Sequence, residues 1–389
     1  MEISEEALLA QQQVVRLQAL LEASRQLHST IEMDEVVRIA LEIVVRELEL
    51  DGSFFTAFPQ TYGEVPPELQ AALSSPASQS EDPQTQSLLR FALCDKAGVQ
   101  FTELVAILPP DRVLDLDETD FLESLAVQAS VAIENARFHA RALQWQRVES
   151  DLAAARQVQQ SLVPQNMPQI PDYALAARSV TCYEVGGDYL DIVPLPSGET
   201  IIVVGDVAGK GLASALVGAS FRSAFRAMIQ ADLSLLDIAT KMNLLHYSEG
   251  DEARHRYVTA MLLRLDPSAH TLEVVNAGHN PAFLVAGDGT LTKISASGTP
   301  IGLLPFSSYS ARKFDFGPGT RLLVYTDGMT EVFQGKDEFG EPRLLETFIS
   351  CTEPTPERIL GSIWNTLDAF SDGQDQSDDM TALVLCRNP

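Results

Sequence analysis

The strongest constraint on the fold is the pattern of short apolar runs that begins at Tyr173. TIIVVGDV, YVTAMLLRLD, TLEVVNAG, AFLVAGDG, TLTKI, TRLLVYTDG and TALVLC are bounded by turn residues, among them Asp266–Pro267 and Gly287–Gly289. Runs of this length and composition predict β-strands. Helices are predicted in GLASALVGASFRSAFRAM and near 342–350 and 355–370. Because strands and helices do not alternate regularly, the pattern favours an α+β fold over a doubly wound sheet.

The N-terminal region has a different organisation. Helices are predicted over roughly 5–29 and in MDEVVRIALEIVVREL, strands in GSFFTAF, SLLRFALC and FTELVAIL, and a long helical region from near Glu118. Residues 59–86 are rich in Pro, Ser and Gln and predict a loop. We therefore divide the chain into an N-terminal α/β domain (1–137), a helical linker (138–168) and a C-terminal domain (169–389).

The linker carries a mostly apolar seam of eight positions at alternating spacings of three and four residues. These positions are Phe138, Arg141, Trp145, Val148, Leu152, Ala155, Gln159 and Leu162. This spacing is typical of a coiled-coil seam and predicts a homodimer through paired linker helices. An amphipathic helix packed on its own domain is the alternative, since two of the positions are polar. Pro164 and Pro168 are expected to end the helix.

Composition excludes several classes of partner. The net charge of −27 argues against binding nucleic acid or an anionic membrane. No apolar run approaches the ~18 residues of a membrane span, and the acidic N-terminus lacks the basic start of a secretory signal. Four cysteines without paired spacing suggest neither a disulfide framework nor a zinc site. A cytoplasmic location is expected.

Two segments resemble known motifs but lack residues that those motifs require. GDVAGKG resembles a phosphate-binding loop, but that loop needs a glycine where Val204 stands and a hydroxyl where Gly211 stands. GGDYL resembles the diguanylate cyclase signature GGDEF, but Tyr189 occupies the position of its acidic residue. A cysteine phosphatase is excluded as well, because no cysteine begins a C-x5-R motif.

Four aspartates each lie at or beside the end of an apolar strand. They are Asp188 in EVGGDYLDI, Asp206 in VVGDVAGKG, Asp327 in LVYTDGMTE and Asp378 in SDDMTALVL. The spacing of Asp188 and Asp206 is consistent with two strands of one hairpin. Carboxylates that converge repel one another unless a cation is present, and oxygen ligands favour Mg²⁺ or Mn²⁺ over zinc.

The motifs EVGGDYLDI, GDVAGKGLASAL, NAGHNPAFLV, YTDGMTEVF and DDMTALVL occur in the order found in the PPM (type 2C) metal-dependent phosphatases. Residues 150–387 resemble the bacterial SpoIIE/RsbU branch of that family. The resemblance implies an α-β-β-α sandwich with two Mn²⁺ or Mg²⁺ ions at one edge. The ligands it implies are Asp188, Asp206, Asp327, Asp378 and the carbonyl of Val207. Two such cations activate a water and clamp phosphate oxygens during in-line attack.

For other residues near these motifs the sequence leaves more than one role open. Lys210 is expected either to contact substrate phosphate or to lie in solvent. His279 is a candidate substrate contact or general acid, or else a residue that satisfies a turn. Asp191 and Glu331 are expected to support the site or to lie on the surface. The family often has Ser where this chain has Ala208. The arginine that grips phosphate in the eukaryotic branch has no evident counterpart.

The N-terminal region resembles a GAF sensor domain in LLEASRQLHSTIEMDEVVRIALEIV and FLESLAVQASVAIENARFH, and AARQVQQSLVP resembles the linker helix that precedes this phosphatase domain. The resemblance implies a sensor-regulated serine/threonine phosphatase whose substrate is a phosphorylated anti-sigma-factor antagonist in a partner-switching pathway. The alternatives are a catalytically weak scaffold that binds this antagonist, and a sensor whose main role is ligand binding.

Overall fold

The computed structural model describes residues 5–73, 88–164, 166–231, 233–250, 255–353 and 355–388. The chain forms two compact units, Met1–Val148 and Glu149–Pro389. The division between them lies inside the predicted 138–168 linker. None of the helices described in these ranges is long and apolar enough to cross a membrane.

The first unit packs helices against a four-stranded antiparallel sheet of order β2-β1-β4-β3. Its elements are α1 (Glu5–Leu27), α2 (Met33–Leu48), β1 (Gly52–Phe55), β2 (Thr61–Gly63), α3 (Pro67–Leu73), β3 (Leu88–Cys94), β4 (Gln100–Ile107) and α4 (Leu116–Leu162). The core joins the apolar faces of α2 and the first part of α4 to the sheet. The loop predicted over 59–86 is wrong where β2 and α3 form, and 74–86 of that segment lie outside the described residues.

The second unit contains two five-stranded sheets with helices on their outer faces. Its strands are β5 (Tyr173–Val180), β6 (Tyr189–Pro194), β7 (Thr200–Val207), β8 (Val258–Asp266), β9 (Thr271–Ala277), β10 (Ala282–Val285), β11 (Leu291–Ile294), β12 (Arg312–Asp315), β13 (Arg321–Tyr325), β14 (Phe333–Gln334), β15 (Asp337–Glu338) and β16 (Met380–Arg387). Its helices are α5 (Leu212–Gln230), α6 (Leu235–Ser248), α7 (Gly340–Ser350) and α8 (Pro356–Ser371). The sheet orders are β11-β10-β13-β16-β5 and β12-β9-β8-β7-β6.

The layers follow from where the apolar side chains lie. One cluster, including Ile202, Val204, Leu263 and Leu383, lies between the sheets. A second packs α7 and α8 on the first sheet, and a third packs α5 and α6 on the other. Because strands such as β7 are covered on both faces, they appear in the sequence as continuous apolar runs. The predicted α-β-β-α sandwich is confirmed.

Helix α6 and strand β12 are among the elements that the sequence did not predict. In α6, three leucines, Leu236, Leu244 and Leu245, are exposed, which weakens the apolar periodicity that marks a helix. Strand β12 lies at a sheet edge with mostly exposed polar residues, so it lacks the composition of a strand. Both depend on tertiary packing.

The linker seam has two different environments. Phe138 and Trp145 are 76% and 74% exposed, whereas Ala155, Gln159 and Leu162 line an apolar cavity of about 240 Å³ in the second unit. The last turns of α4 therefore pack on the C-terminal domain, as the amphipathic alternative predicted. The coiled coil over the exposed part of the seam stays a prediction.

Candidate active site

The β6–β7 hairpin brings the first two aspartates together. Tyr189 pairs with Gly205, so Asp188, just before β6, lies beside Asp206 near the end of β7. The 18-residue spacing correctly indicated this hairpin. Gly187 permits the approach, because a Cβ there would lie 2.9 Å from the Val207 carbonyl oxygen and 3.2 Å from Asp206 Oδ1. Any larger residue at 187 would displace these two oxygens.

The opposite sheet supplies the other two aspartates. Asp327 begins a 3-10 turn, Asp327–Met329, directly after β13, and Asp378 lies just before β16. These strands are antiparallel neighbours, with Tyr325 opposite Ala382. A Cβ on Gly328 would lie 2.0 Å from the carbonyl oxygen of Asp379, so the turn rests directly on the backbone that follows Asp378.

A hydrogen bond joins the two sheets at this edge. The Thr326 hydroxyl donates to Asp188 Oδ2 at 2.9 Å, and Thr326 itself is fully buried. Strand ends from both layers of the sandwich therefore meet at one place, which brings all four predicted aspartates to the same edge.

The proximity of these carboxylates shifts their pKa values. Burial, followed by the charges of Asp327 and Asp378, raises the pKa of Asp206 to about 7. Burial and the charge of Asp206 raise the pKa of Asp188 well above its ordinary value. Burial and Asp378 also raise the pKa of Asp327. Each shift reports a negative charge placed near others in a poorly solvated site.

Neighbouring polar groups contact several of these carboxylates. Asp379 accepts hydrogen bonds from the backbone amides of Cys182 at 2.7 Å and Gly187 at 2.6 Å. Lys210 Nζ lies 2.8 Å from Asp378 Oδ2 and donates to the carbonyl oxygen of Ser377. Asp379 thus fixes the backbone around Asp188, while Asp378 faces the cationic side chain of Lys210.

With the side chains in these positions, no group of three or more His, Cys, Asp or Glu in the described ranges is arranged to hold a metal ion. Asp188 contacts the Thr326 hydroxyl, Asp378 contacts the Lys210 ammonium, and Asp379 accepts from the Gly187 amide. The donor set nevertheless consists only of carboxylate and carbonyl oxygens at a glycine-lined edge, which suits Mg²⁺ or Mn²⁺.

His279 lies in the interior of the domain. It is 5% exposed, its Nδ1 lies 2.9 Å from the Thr259 hydroxyl, and its amide donates to Asn276 Oδ1. Burial lowers its pKa from 6.5 to about 4, so the ring is neutral at pH 7. Thr259 of β8 thus holds the ring inside the domain, and a contact of His279 with substrate stays a prediction.

Asp191 has a structural role that the sequence did not specify. It is fully buried on β6 and receives two hydrogen bonds of 2.7 Å from Arg226 of α5 and one of 2.9 Å from the Tyr189 hydroxyl. The bidentate contact fixes α5, which follows the loop after Asp206, against the sheet. Arg222, four residues before Arg226 on the same face of α5, was the signal available in the sequence.

Gln159 is a second residue that the sequence did not single out for a specific contact. Its side chain donates to the Gly186 carbonyl at 2.6 Å and accepts from the Gly186 amide at 3.0 Å. The end of α4 is thereby attached to the backbone two residues before Asp188.

Comparison with known proteins agrees with this geometry. Residues 196–388 match the family model described as Stage II sporulation protein E (SpoIIE). This region belongs to the SpoIIE family of PP2C-type phosphatases. The SiaA-PP2C domain of Pseudomonas aeruginosa has a TM-score of 0.55 at 20% identity, over 62% of this chain and 98% of that chain. The likeness shows that the second unit has the PP2C fold.

Two curated relatives extend the comparison. Protein IcfG of Synechocystis sp. is 28% identical over 264 residues, which cover 61% of this chain and 42% of IcfG. Phosphoserine phosphatase RsbU of Bacillus subtilis is 25% identical over 289 residues, which cover 73% of this chain and 83% of RsbU. The chain thus spans less than half the length of IcfG and most of the length of RsbU.

Proposed function

We propose that this chain is a metal-dependent phosphatase that hydrolyses phosphoserine or phosphothreonine in a protein. The convergence of Asp188, Asp206, Asp327 and Asp378 from the ends of strands in both sheets supports this function most directly. Four acidic strand ends at one edge are costly unless they bind cations, because each buried carboxylate raises the energy of the others.

In this proposal the four aspartates and the Val207 carbonyl hold two Mn²⁺ or Mg²⁺ ions. When bound, divalent cations supply an activated water for attack on phosphorus and neutralise charge on the phosphate oxygens. The chain's own contribution is positioning. Thr326 orients Asp188, and Asp379 orients the backbone at Gly187 through its amide hydrogen bond. Lys210, 45% exposed and paired with Asp378, contacts the substrate in this proposal.

The substrate we propose is a phosphorylated anti-sigma-factor antagonist. The similarity to RsbU, whose name describes a phosphoserine phosphatase, supports a phosphoserine substrate, and the antagonist is what the sequence resemblance implies. We further propose that the N-terminal GAF-like unit regulates the phosphatase through α4, that the exposed seam of α4 pairs two chains, and that the protein acts in the cytoplasm. The exposed Phe138 and Trp145 support such pairing.

The test is hydrolysis of an aryl phosphate and of a phosphoserine peptide by the purified chain, with Mn²⁺, with Mg²⁺ and with excess chelator. We expect activity only with added metal, and a loss on the order of 10²-fold or more in Asp206→Asn. Asp315→Asn is the matched control, because Asp315 is exposed on β12, at the sheet edge opposite β6. Full activity in chelator, or a phosphorylated enzyme residue, would contradict the mechanism.

A further inference from the structure

One arginine lies directly on the loop that follows Asp206. A Cβ built on Gly209 would lie 2.7 Å from Arg256 Nη1 and 4.0 Å from its Cζ, so the guanidinium rests against the α-carbon of Gly209. We propose that Arg256 binds the phosphate group of the substrate. The proposal rests on the phosphatase function proposed above and identifies an arginine for which the sequence offered no counterpart.

The β7–β8 pairing places Arg256 at this position. Val207 is opposite Val258, and the Ala208 amide donates to the Tyr257 carbonyl at 2.9 Å. Arg256 lies in the turn two residues before β8, and its guanidinium reaches Gly209. The arginine thus approaches the Asp206 loop from the turn before β8, and β8 pairs with β7 on the side away from β6.

The backbone that carries Arg256 is held on two sides. The imidazole of His246, which is buried on α6, lies with Nε2 3.0 Å from the Arg256 carbonyl oxygen. Val258 exchanges two backbone hydrogen bonds with Ile301, of 2.9 and 2.8 Å. The base of the side chain is therefore fixed, while the side chain itself is partly exposed. A phosphate-binding side chain on a rigid support loses little freedom when it binds.

The negative charges at this edge oppose the binding of a phosphate unless a cationic side chain offsets them. The four aspartates together with Asp379 and Glu331 would repel a phosphate dianion that approaches from solvent. Lys210 already pairs with Asp378 at 2.8 Å. Arg256 makes no ion pair with any residue in the described ranges, so its guanidinium is available for an incoming anion.

Residue type and loop conformation fit this role. A guanidinium offers parallel N–H donors in a planar fork that matches two phosphate oxygens, which a lysine ammonium cannot do. Gly209 has φ +96°, and a side chain there would collide with the guanidinium. Glycine at 209 therefore both shapes the loop and leaves space for the arginine.

The test uses the full chain loaded with Mn²⁺ and inorganic phosphate as the probe. Phosphate affinity is measured by calorimetry and as inhibition of aryl phosphate hydrolysis. We expect Arg256→Ala to weaken phosphate binding by about 10- to 100-fold, the loss typical of a charged hydrogen-bonding partner. Arg256→Lys, which keeps the charge, should recover part of it. Mn²⁺ affinity should change less than twofold in both variants.

Arg312→Ala is the control, because Arg312 is an exposed arginine on β12 that stacks on Phe314. An active enzyme whose phosphate affinity is unchanged in Arg256→Ala would overturn the role of Arg256 and leave the phosphatase function standing. An equal loss of Mn²⁺ and phosphate affinity would also overturn it, since Arg256 would then support the loop only. A wild-type chain that hydrolyses no phosphomonoester with Mn²⁺ would overturn both proposals.

Discussion

Replacement of Gly328 by alanine tests whether close backbone contact assembles the acidic edge. The added Cβ would lie 2.0 Å from the Asp379 carbonyl oxygen and 2.9 Å from its carbonyl carbon, whereas ordinary contact begins near 3.4 Å. Both obstructing atoms belong to the backbone, so no side-chain rotation relieves the overlap. The turn that carries Asp327 must therefore move away from Asp378 and Asp379 by roughly 1 Å or more.

The expected effect has two parts. Forced overpacking of this kind costs about 1–3 kcal/mol of unfolding free energy. In a domain of this size each kcal/mol lowers the Tm by roughly 2–4 °C. A misplacement of about 1 Å in a catalytic constellation costs about 10²-fold in rate. Gly328→Ala should thus remain folded at 25 °C but lose nearly all phosphatase activity and much of its affinity for Mn²⁺.

The matched control is Gly361→Ala on α8, where an added Cβ meets nothing within 4 Å. Alanine is favoured over glycine in a helix by roughly 0.5–1 kcal/mol, so this variant should be slightly more stable and fully active. Thermal unfolding, Mn²⁺ titration and aryl phosphate hydrolysis are measured on both variants. Wild-type activity and Mn²⁺ affinity in Gly328→Ala would refute the inference that this contact sets the site.

Three further outcomes are expected. The double variant Asp206→Asn/Asp327→Asn should lose little more kcat/KM than either single variant, because loss of either ligand disables the same centre. If the fold-losses of the two single variants multiplied in the double variant, the two aspartates would belong to separate sites. One alanine inserted after Val148 should change activity sharply, because one residue turns a helix by about 100°. A seven-residue insertion should change it far less, because a heptad nearly restores the helix face. Equal effects of the two insertions, or a monomeric chain by light scattering, would contradict regulation through α4. The neutral His279 ring stabilises the fold by about 3 kcal/mol above pH 6.5, and this is lost as the pH falls toward 4. Urea unfolding at pH 7 and 4.5 should therefore show a smaller acid-induced loss in His279→Gln than in wild type.

Local patterns predicted the elements that carry strong periodicity. The helix Met33–Leu48 has the predicted bounds because its apolar residues recur at helical spacing and pack on one face. The hairpin of Asp188 and Asp206 was predictable because a turn of few residues fixes which residues face each other. These features depend on interactions within a few residues of one another along the chain.

The features that sequence alone missed depend on contacts between distant segments. Asp191 looked like a support or surface residue, yet it is fully buried because Arg226 and Tyr189 satisfy both of its oxygens. No sequence motif marks Arg256, because its role depends on the contact of its guanidinium with the Gly209 loop. The enclosure of His279 by Thr259 and Asn276 also depends on such contacts, and the sequence left its role open between a substrate contact, a general acid and a turn. Burial of a polar residue cannot be inferred until its partners are known.

The contact between Gln159 and Gly186 supplies a physical route for the regulation that we propose. Both polar atoms of the Gln159 amide bond the backbone of Gly186, so a rotation or shift of the end of α4 must either carry that backbone along or break both bonds. Gly187 and Asp188 follow Gly186 in the chain, and Gly187 lies close to Val207 and Asp206. A small displacement of the helix would therefore change the separation of Asp188 and Asp206 directly. If Asp188 and Asp206 bind metal as proposed, their spacing is the quantity that a regulator would need to control, because the two carboxylates repel each other.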